Sequence, residues 1–596
     1  MGMSARWLDI AHFYQGSLGD DDRRSIQPMT QAATPDTRPP SETDRAALLR
    51  HARVVAELRR PGACAGATEA PGLIETHLSS VLLTSSLVYK LKKPVLMGFV
   101  DFSTVSARRE ACEQELRLNR RTAPRWYQAV VAVRQTADGA RITAPGDPLA
   151  EGAPVIDWAV QMRRFDDSQR LDRLAQRGEL TGARVDSLAA VVARFHDQQP
   201  PAPPGFGRAE TTRHWARENL VELAALLPEG RDGAPKSDQA AVAALQRWTE
   251  ARGAALAGLM DLRCRTGHVR EVHGDLHLAN IVWSEGAPVL FDALEFNDTL
   301  RHIDTLGDLA FTFMDLQAQG LPHLAWRFIS AALEASGDWG ALPLLAWWSA
   351  YRAAVRAKVA LLGAVGQTDV AAQQAARALA RHYLAVASAL AGLAPAPTLG
   401  ALPGGLRLVL MCGLAGAGKS RVAGALAERL CAVRVRSDVE RKRLFASAPT
   451  ARAVPGLYSP DATRRTYERL QELAQQALDA GVSVVIDASS LRRSERDALR
   501  LLAARHGVRF CLLVCEAPPA VLQARVQQRQ RADTDASDAT SAVLAFQQGV
   551  AEWPGADEAA DTVHLDTDRP WPALAAAIET LKLDLAARAG PGPSVR

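Results

Sequence analysis

A chain of 596 residues is too long for one hydrophobic core, and roughly two to four domains are expected. Apolar residues at 47%, charged residues at 23% and a net charge of +4 with both signs interspersed fit a globular chain. They disfavour a dedicated nucleic-acid or membrane-surface binder and leave room only for a local basic groove.

In chain order, no apolar signal core begins the sequence, and Arg23-Arg24 is followed by polar residues rather than by an export signal. Residues 1–41, rich in Asp, Gln, Thr and Pro, are expected to be disordered. Periodic apolar pattern begins near Ala46. Strand-like runs follow, "THLSSVLLT" and "SLVYKLKKPV", then a helical segment "SARREACEQELRLNRR" and the runs "WYQAVVAV" and "WAVQMRRF". Most of the remainder to His382 reads as helix. The most membrane-like stretch, "LLAWWSAYRAAVRAKVALLGAV", carries Arg352, Arg356 and Lys358 at helical spacing, which predicts a packed amphipathic helix instead of a span.

The prolines and glycines of residues 391–404 predict a linker, dividing a body at 42–390 from one at 405–588, with a frayed tail at 589–596. The second body alternates "LRLVLMCG", "VRVRSD", "VSVVIDAS" and "RFCLLVCEA" with helical segments, which predicts a parallel α/β sheet covered on both faces. Seven cysteines without a C-x-x-C pair read as small buried hydrophobes of a reducing, cytoplasmic setting.

In "EVHGDLHLANIVW", Asp275 and Asn280 stand five positions apart, and Asp292 ends the apolar run of "VLFDALEF" twelve residues later. Phosphoryl transfer needs a carboxylate to position the attacking hydroxyl and metal ions to neutralise phosphates. Asp275 suits the first task, and Asn280 and Asp292 suit magnesium. Two strand lysines, Lys90 and Lys92, alternate onto one face, so spacing does not choose between them as the phosphate lysine. On the following helix Ala111, Cys112, Glu115 and Leu116 form one stripe and Glu113 points elsewhere. Glu115 is therefore expected to hold a lysine, Lys90 in first place. Asp304 and Asp308, one helical turn apart, are expected to brace the loop.

The strings "VYKLKKPV", "CEQELRLNRR", "HGDLHLANIV", "FDALEFNDTLRHIDTLGDLAF" and "RAAVRAKVA" resemble a bacterial family in which an aminoglycoside-phosphotransferase-like domain is joined to a P-loop kinase-like domain. The resemblance spans nearly all of residues 70–550 and implies a two-lobe, protein-kinase-like α+β fold, ATP binding, and an acceptor that need not be an antibiotic. The loop between the first two strands, near "LLTSSLVY", contains no glycine, unlike the glycine-rich phosphate loop of better-known kinases.

"GLAGAGKS" fits G-x-x-x-x-G-K-[ST], after an apolar strand and before a helix. Backbone amides of Gly413, Leu414, Ala415, Gly416, Ala417 and Gly418 would wrap phosphates, Lys419 would reach the terminal phosphates, and Ser420 would bind magnesium. Asp487, closing "VSVVIDA", has the position of a Walker-B-type magnesium or water partner. Asp438 and Arg441 fall just past a strand's carboxyl end, where open parallel sheets hold ligands. Their S-D-x-x-R spacing resembles small P-loop kinases, including polynucleotide 5′-hydroxyl kinases and zeta-toxin-like kinases. That match implies Asp438 as base and Arg441 as acceptor clamp. Arg525 and Arg529, one turn apart before a polar loop, are candidate lid arginines, unranked.

Together these residues predict an ATP- and magnesium-dependent phosphotransferase acting on a hydroxyl of a small molecule or nucleotide. Two other readings stay open: a nucleotide-gated scaffold with a non-catalytic first lobe, and a nucleic-acid end kinase. No basic-aromatic stripe supports the last. Oligomeric state is not legible.

Overall fold

The structure, a computed structural model, describes residues 42–143, 152–227, 236–365, 369–394, 405–445, 457–532 and 540–587. The segment expected to be disordered, most of the linker and the tail lie outside the described residues. Contacts divide the rest into two compact units. The first takes its residues from positions 42–179, 198–315 and 347–394, and the second from 180–197, 316–346 and 405–587.

The first unit carries an antiparallel sheet whose strands run, edge to edge, Gly72–Glu75, Ser79–Leu83, Leu87–Lys92, Val155–Arg163, Tyr127–Thr136 and Gly139–Ile142. The two faces of Leu87–Lys92 explain its role. Tyr89 and Leu91 enter one apolar cluster with Leu82 and Val133. Val88 enters the opposite one with Cys112, Tyr127 and Val160, and strand alternation puts Lys90 and Lys92 on this second side. The helix Val105–Asn119 lies there, its start capped by Thr104, whose hydroxyl oxygen accepts from the Ala107 amide at 3.1 Å. Helices make up most of the remainder, including Lys236–Arg265, Thr305–Ala318 and Leu345–Leu362.

One strand expectation is corrected. The run "THLSSVLLT" is a turn and a strand, because a short strand, Gly72–Glu75, precedes it and pairs with Ser79–Leu83. The first two strands are therefore joined by Thr76, His77 and Leu78, and "LLTSSLVY" joins the second to the third. Both connections lack glycine. The earlier turn is fixed by Thr76, whose hydroxyl oxygen accepts from the amides of Ser79 at 2.9 Å and Leu78 at 3.3 Å.

The second unit holds a five-stranded parallel sheet in the order Ala432–Arg436, Ser483–Asp487, Arg407–Cys412, Arg509–Glu516, Thr562–Asp566. The central strands are near-continuous apolar runs, as a sheet covered on both faces requires, and Arg407–Cys412 is buried throughout. The fifth strand, "TVHLD", was not legible in the sequence: it lies at an edge, with only Leu565 buried. The helix Lys419–Leu430 packs Val422, Ala423, Leu426 and Leu430 into the main cluster with Val409, Met411 and Val485. Helices Gly182–Gln198 and Pro322–Ser336 belong to the same unit. Arg327 joins them to it, bonding Asp186 through two nitrogens at 2.7 and 2.6 Å and Glu428 at 2.6 Å.

No helix among the described residues is long and apolar enough to cross a membrane. Arg352 in the helix Leu345–Leu362 is buried and lies over Phe311, its guanidinium carbon 4.9 Å from the ring centroid. The described cysteines are all free thiols, most of them buried.

Candidate active sites

In the first unit the ends of three elements meet. Lys90 Nζ donates to Glu115 Oε1 at 3.0 Å and also bonds Asp292. Lys92 donates to Glu115 Oε2 at 2.5 Å and bonds Glu295, with both ends out of solvent. Glu115 thus receives both lysines. Glu113 instead pairs with Arg109 on the exposed side at 2.9 Å. What separates the lysines is depth, since Lys90 reaches the partly exposed Asp292 and Lys92 the buried Glu295. Burial opposes charge on Glu115, but Lys90 and Lys92 hold its carboxyl down at about 2. Glu295, absent from the sequence-level candidates, is pushed the other way, up, by burial against the pull of Lys92.

Asp275 and Asn280 lie together on the loop that follows the strand Val269–Glu271. The Asn280 amide donates to Asp275 Oδ2 and to the Asp275 carbonyl, both at 3.0 Å. Burial favours the neutral form of Asp275, yet His277, Arg356 and His273 keep it well below the usual carboxylate range. Asp308 braces this loop by accepting from the amides of His273 at 3.0 Å and Gly274 at 2.9 Å. Asp304 is held by Arg263 at 2.6 and 2.8 Å. Asp292 has a left-handed backbone, φ +61°. Its amide donates to the Tyr127 hydroxyl at 3.1 Å, and the next amide, of Ala293, donates to Asn119 Oδ1 at 2.9 Å. His77, on the glycine-free turn, lies within electrostatic range of Asp275 and Asp292.

Two residues before His273, Glu271 gathers Arg117 at 2.6 Å, Arg121 at 3.2 Å and Arg301 at 3.1 Å. Burial would raise its carboxyl, but the Arg117 hydrogen bond and the charges of Arg121 and Arg301 hold it at about 2. A carboxyl depressed in the folded state adds stability above its unfolded value near 4.3, and that stability is lost as pH falls toward the folded one. Glu271→Gln is expected to remove on the order of 2 kcal/mol at pH 7. It should also flatten the loss of first-unit stability between about pH 4.5 and pH 2, measured by urea unfolding across that range. An unchanged acid limb would refute this.

In the second unit the strand Arg407–Cys412 delivers the glycine-rich bend. Gly413 has φ +139°, and a side chain there would begin 2.5 Å from the Cys515 carbonyl oxygen; at Gly416, φ +82°, it would meet the Leu522 carbonyl at 2.6 Å. Lys419 Nζ donates to the Leu414 carbonyl at 2.8 Å. Burial lowers its ammonium's pKa, against the attraction of Asp487 and Asp438, so both carboxylates act on this amine. The Ser420 hydroxyl donates to Asp487 Oδ1 at 3.2 Å, and Asp487 Oδ2 is buried without a hydrogen bond. Its ion-pair partner, Arg436 Nε, is 3.9 Å away, and a carboxylate oxygen lacking a hydrogen bond beside a hydroxyl is a donor set that fits a magnesium ion.

The bend is also held from outside. The Ala415 amide donates to Gln547 Oε1 at 2.7 Å, and the Thr567 hydroxyl donates to the Ala417 carbonyl at 3.0 Å. Arg525 donates to the Thr567 carbonyl at 3.0 Å and to the Gly416 carbonyl at 3.4 Å, so it reaches the bend as a brace on its carbonyls. Arg529 lies one turn further along the helix Pro519–Ala532, partly exposed, and the polar loop after it, 533–539, is outside the described residues. Asp438 and Arg441 sit on the helix Ser437–Leu444. Arg441 is buried, donates to the Leu457 carbonyl at 3.1 Å and lies 4.9 Å from the Tyr458 ring centroid. Gln547 and Thr567 carry no motif; only chain folding brings them to the bend.

Residues 101–345 match the model of a phosphotransferase enzyme family, and residues 408–554 match that of an AAA domain. The uncharacterized protein Rv2004c of Mycobacterium tuberculosis is 30% identical over 510 residues, covering 83% of this chain and 92% of its own length. Among solved structures, an unliganded sugar kinase from Janibacter sp. HTCC2649 aligns over 31% of this chain and 98% of its own at 24% identity, TM-score 0.25. The Mycobacterium tuberculosis APS kinase, solved with AMPPNP and APS, aligns over 31% and 98% at 22% identity, TM-score 0.24.

Proposed function

The chain belongs to the family of the mycobacterial protein Rv2004c and unites a phosphotransferase domain with a C-terminal P-loop kinase domain, and from that premise we propose that its second unit moves the γ-phosphate of ATP to a hydroxyl of a small molecule or nucleotide. One observation carries this reading: Lys419, Ser420 and Asp487 converge at the carboxyl end of a parallel sheet, with one Asp487 oxygen buried and without a hydrogen bond.

The amides from Gly413 to Ser420 receive the phosphates, and Lys419 exchanges the Leu414 carbonyl for a phosphate oxygen. Ser420 and Asp487 are the residues that would hold magnesium, which when bound neutralises phosphate charge. Asp438 takes the proton of the acceptor hydroxyl, and Arg441 orients the acceptor. Arg525 steadies the bend, and Arg529, one turn further along the same helix, is the remaining lid candidate.

A second centre is proposed in the first unit, on the observation that Lys90 joins Glu115 to Asp292 beside the Asp275–Asn280 pair. There Lys90 would meet phosphate, Asn280 and Asp292 would hold magnesium, and Asp275 would be the base. This favours a catalytic first lobe over a scaffold.

ADP release by the full chain, screened over a library of hydroxyl compounds, tests the leading reading. Asp438→Asn is expected to lower turnover of the best acceptor roughly 10²- to 10⁴-fold with ATP binding kept. Turnover unchanged in that variant would remove Asp438 from its role.

A further inference from the structure

Beside Asp275 the first unit holds a cation with no counter-ion in contact. Arg356 is on the helix Leu345–Leu362, one turn after Arg352, and makes no salt bridge among the described residues. Its Nη1 lies 3.3 Å from His277 Nε2, its guanidinium carbon stands 5.5 Å from the Tyr383 ring centroid, and its Nε is buried without a hydrogen bond. The Tyr383 hydroxyl is within hydrogen-bonding reach of the guanidinium, and Asp315 and Asp275 act on it at longer range.

His277 stands between that cation and the Asp275 carboxylate. Its Nε2 is 3.4 Å from Asp275 Oδ2 as well as within reach of Arg356, and one nitrogen cannot both accept from the guanidinium and donate to the carboxylate. When it accepts from Arg356, the proton sits on Nδ1, which is buried and has no partner. In that tautomer two buried donors, Arg356 Nε and His277 Nδ1, lie next to the proposed base, lacking acceptors. Such groups cost about 1–3 kcal/mol each unless something satisfies them.

Three of the nearby carboxylates already have partners in the protein. Asp315 accepts from the Leu278 amide at 2.9 Å and the Tyr383 hydroxyl at 3.1 Å; Asp308 accepts from two loop amides; Asp292 bonds Lys90. Arg356 is the unpaired charge that an acceptor placed at Asp275 would meet beside the base. A polycationic acceptor would meet Arg356 as a like charge, whereas an anion would satisfy both donors and neutralise the guanidinium.

We infer that the acceptor taken at Asp275 carries a carboxylate or phosphate beside its reacting hydroxyl, and that Arg356 and His277 receive that anionic group. The inference rests on the first unit's proposed role as a phosphotransferase centre. No new bond is made to Arg356 or His277: they position the acceptor, and Asp275 takes the hydroxyl proton.

Calorimetry on the full chain carrying Lys419→Ala, which disables the second unit's phosphate site, separates the sources. The probes are gluconate for the carboxylate, glucose 6-phosphate for the phosphate, glucose as the neutral reference and glucosamine as the cation. One of the two anions is expected to bind at least tenfold more tightly than glucose or glucosamine. Arg356→Gln should erase that preference and Arg356→Lys should restore part of it, with the folded circular-dichroism spectrum kept in both. Equal binding of all four, tighter glucosamine, or an anion preference that survives Arg356→Gln would each overturn the inference. Asp275→Asn distinguishes the underlying role: lost ADP release with anion binding retained supports both statements. Unchanged release with Arg356-dependent anion binding removes the base role alone.

Discussion

Lys419→Ala is expected to lower ADP release by the second unit at least about 100-fold while leaving its thermal midpoint nearly unchanged. The asymmetry follows from what the amine touches. Among the described residues it donates only to the Leu414 carbonyl, at 2.8 Å, a bond whose net worth is about 1 kcal/mol. Against a phosphate the same group makes a charge-assisted bond of about twice the strength, and it does so where burial already makes an uncompensated ammonium costly. The lysine therefore matters little to the fold and a great deal to the nucleotide. Steady-state ADP release at saturating ATP, together with calorimetric ATP affinity, checks both halves. Full turnover in the variant would exclude this bend as the working nucleotide site.

Lys92→Met should have the opposite profile, a large loss of stability. Lys92 and Glu115 are both completely buried and Glu295 almost so; removing the cation leaves Glu295 without its partner and Glu115 with Lys90 alone, two carboxylates in the interior with one cation between them. Breaking a buried pair in this way costs about 3–5 kcal/mol. Hydrogen-exchange protection of the strand Leu87–Lys92 should fall roughly 10²- to 10³-fold. Acidification should soften the effect, because a carboxylate without its partner takes up a proton more readily. Lys90→Met is the internal contrast. Its side chain is 13% exposed, Glu115 keeps Lys92, and Asp292 is 37% exposed, so stability should change by only about 1 kcal/mol while first-unit turnover disappears. Equal destabilisation by the two variants would mean that depth does not distinguish the lysines.

How much of this was readable beforehand depended on whether chemistry was local. The octet Gly413–Ser420 was readable because its bend needs glycine at fixed offsets, where the neighbouring carbonyls of Cys515 and Leu522 leave no room for a side chain. Asp275, Asn280 and Asp292 were readable for a similar reason, being tied to one loop and the strand pair after it. The choice between Lys90 and Lys92 was not, since a two-residue period puts both on one face; their partners, Asp292 and Glu295, sit about two hundred positions away. Glu295 had a faint signal, a carboxylate three residues after Asp292 in an otherwise apolar run. Gln547, Thr567 and Arg356 had none, because each is brought to its site by the packing of a distant helix or strand. The strand Gly72–Glu75 escaped notice because it spans only four residues and its side chains are exposed or partly so.

The positive φ at Asp292 decides how that carboxylate can be interrogated. Among residues with a side chain, only asparagine and aspartate adopt such a backbone readily, their short polar groups offsetting the crowding at Cβ. Alanine would therefore report two losses at once, a carboxylate and a comfortable main chain, and a dead enzyme would say nothing about which mattered. Asparagine keeps the main chain at ease and discards only the negative charge, making it the clean chemical edit at this corner of the molecule.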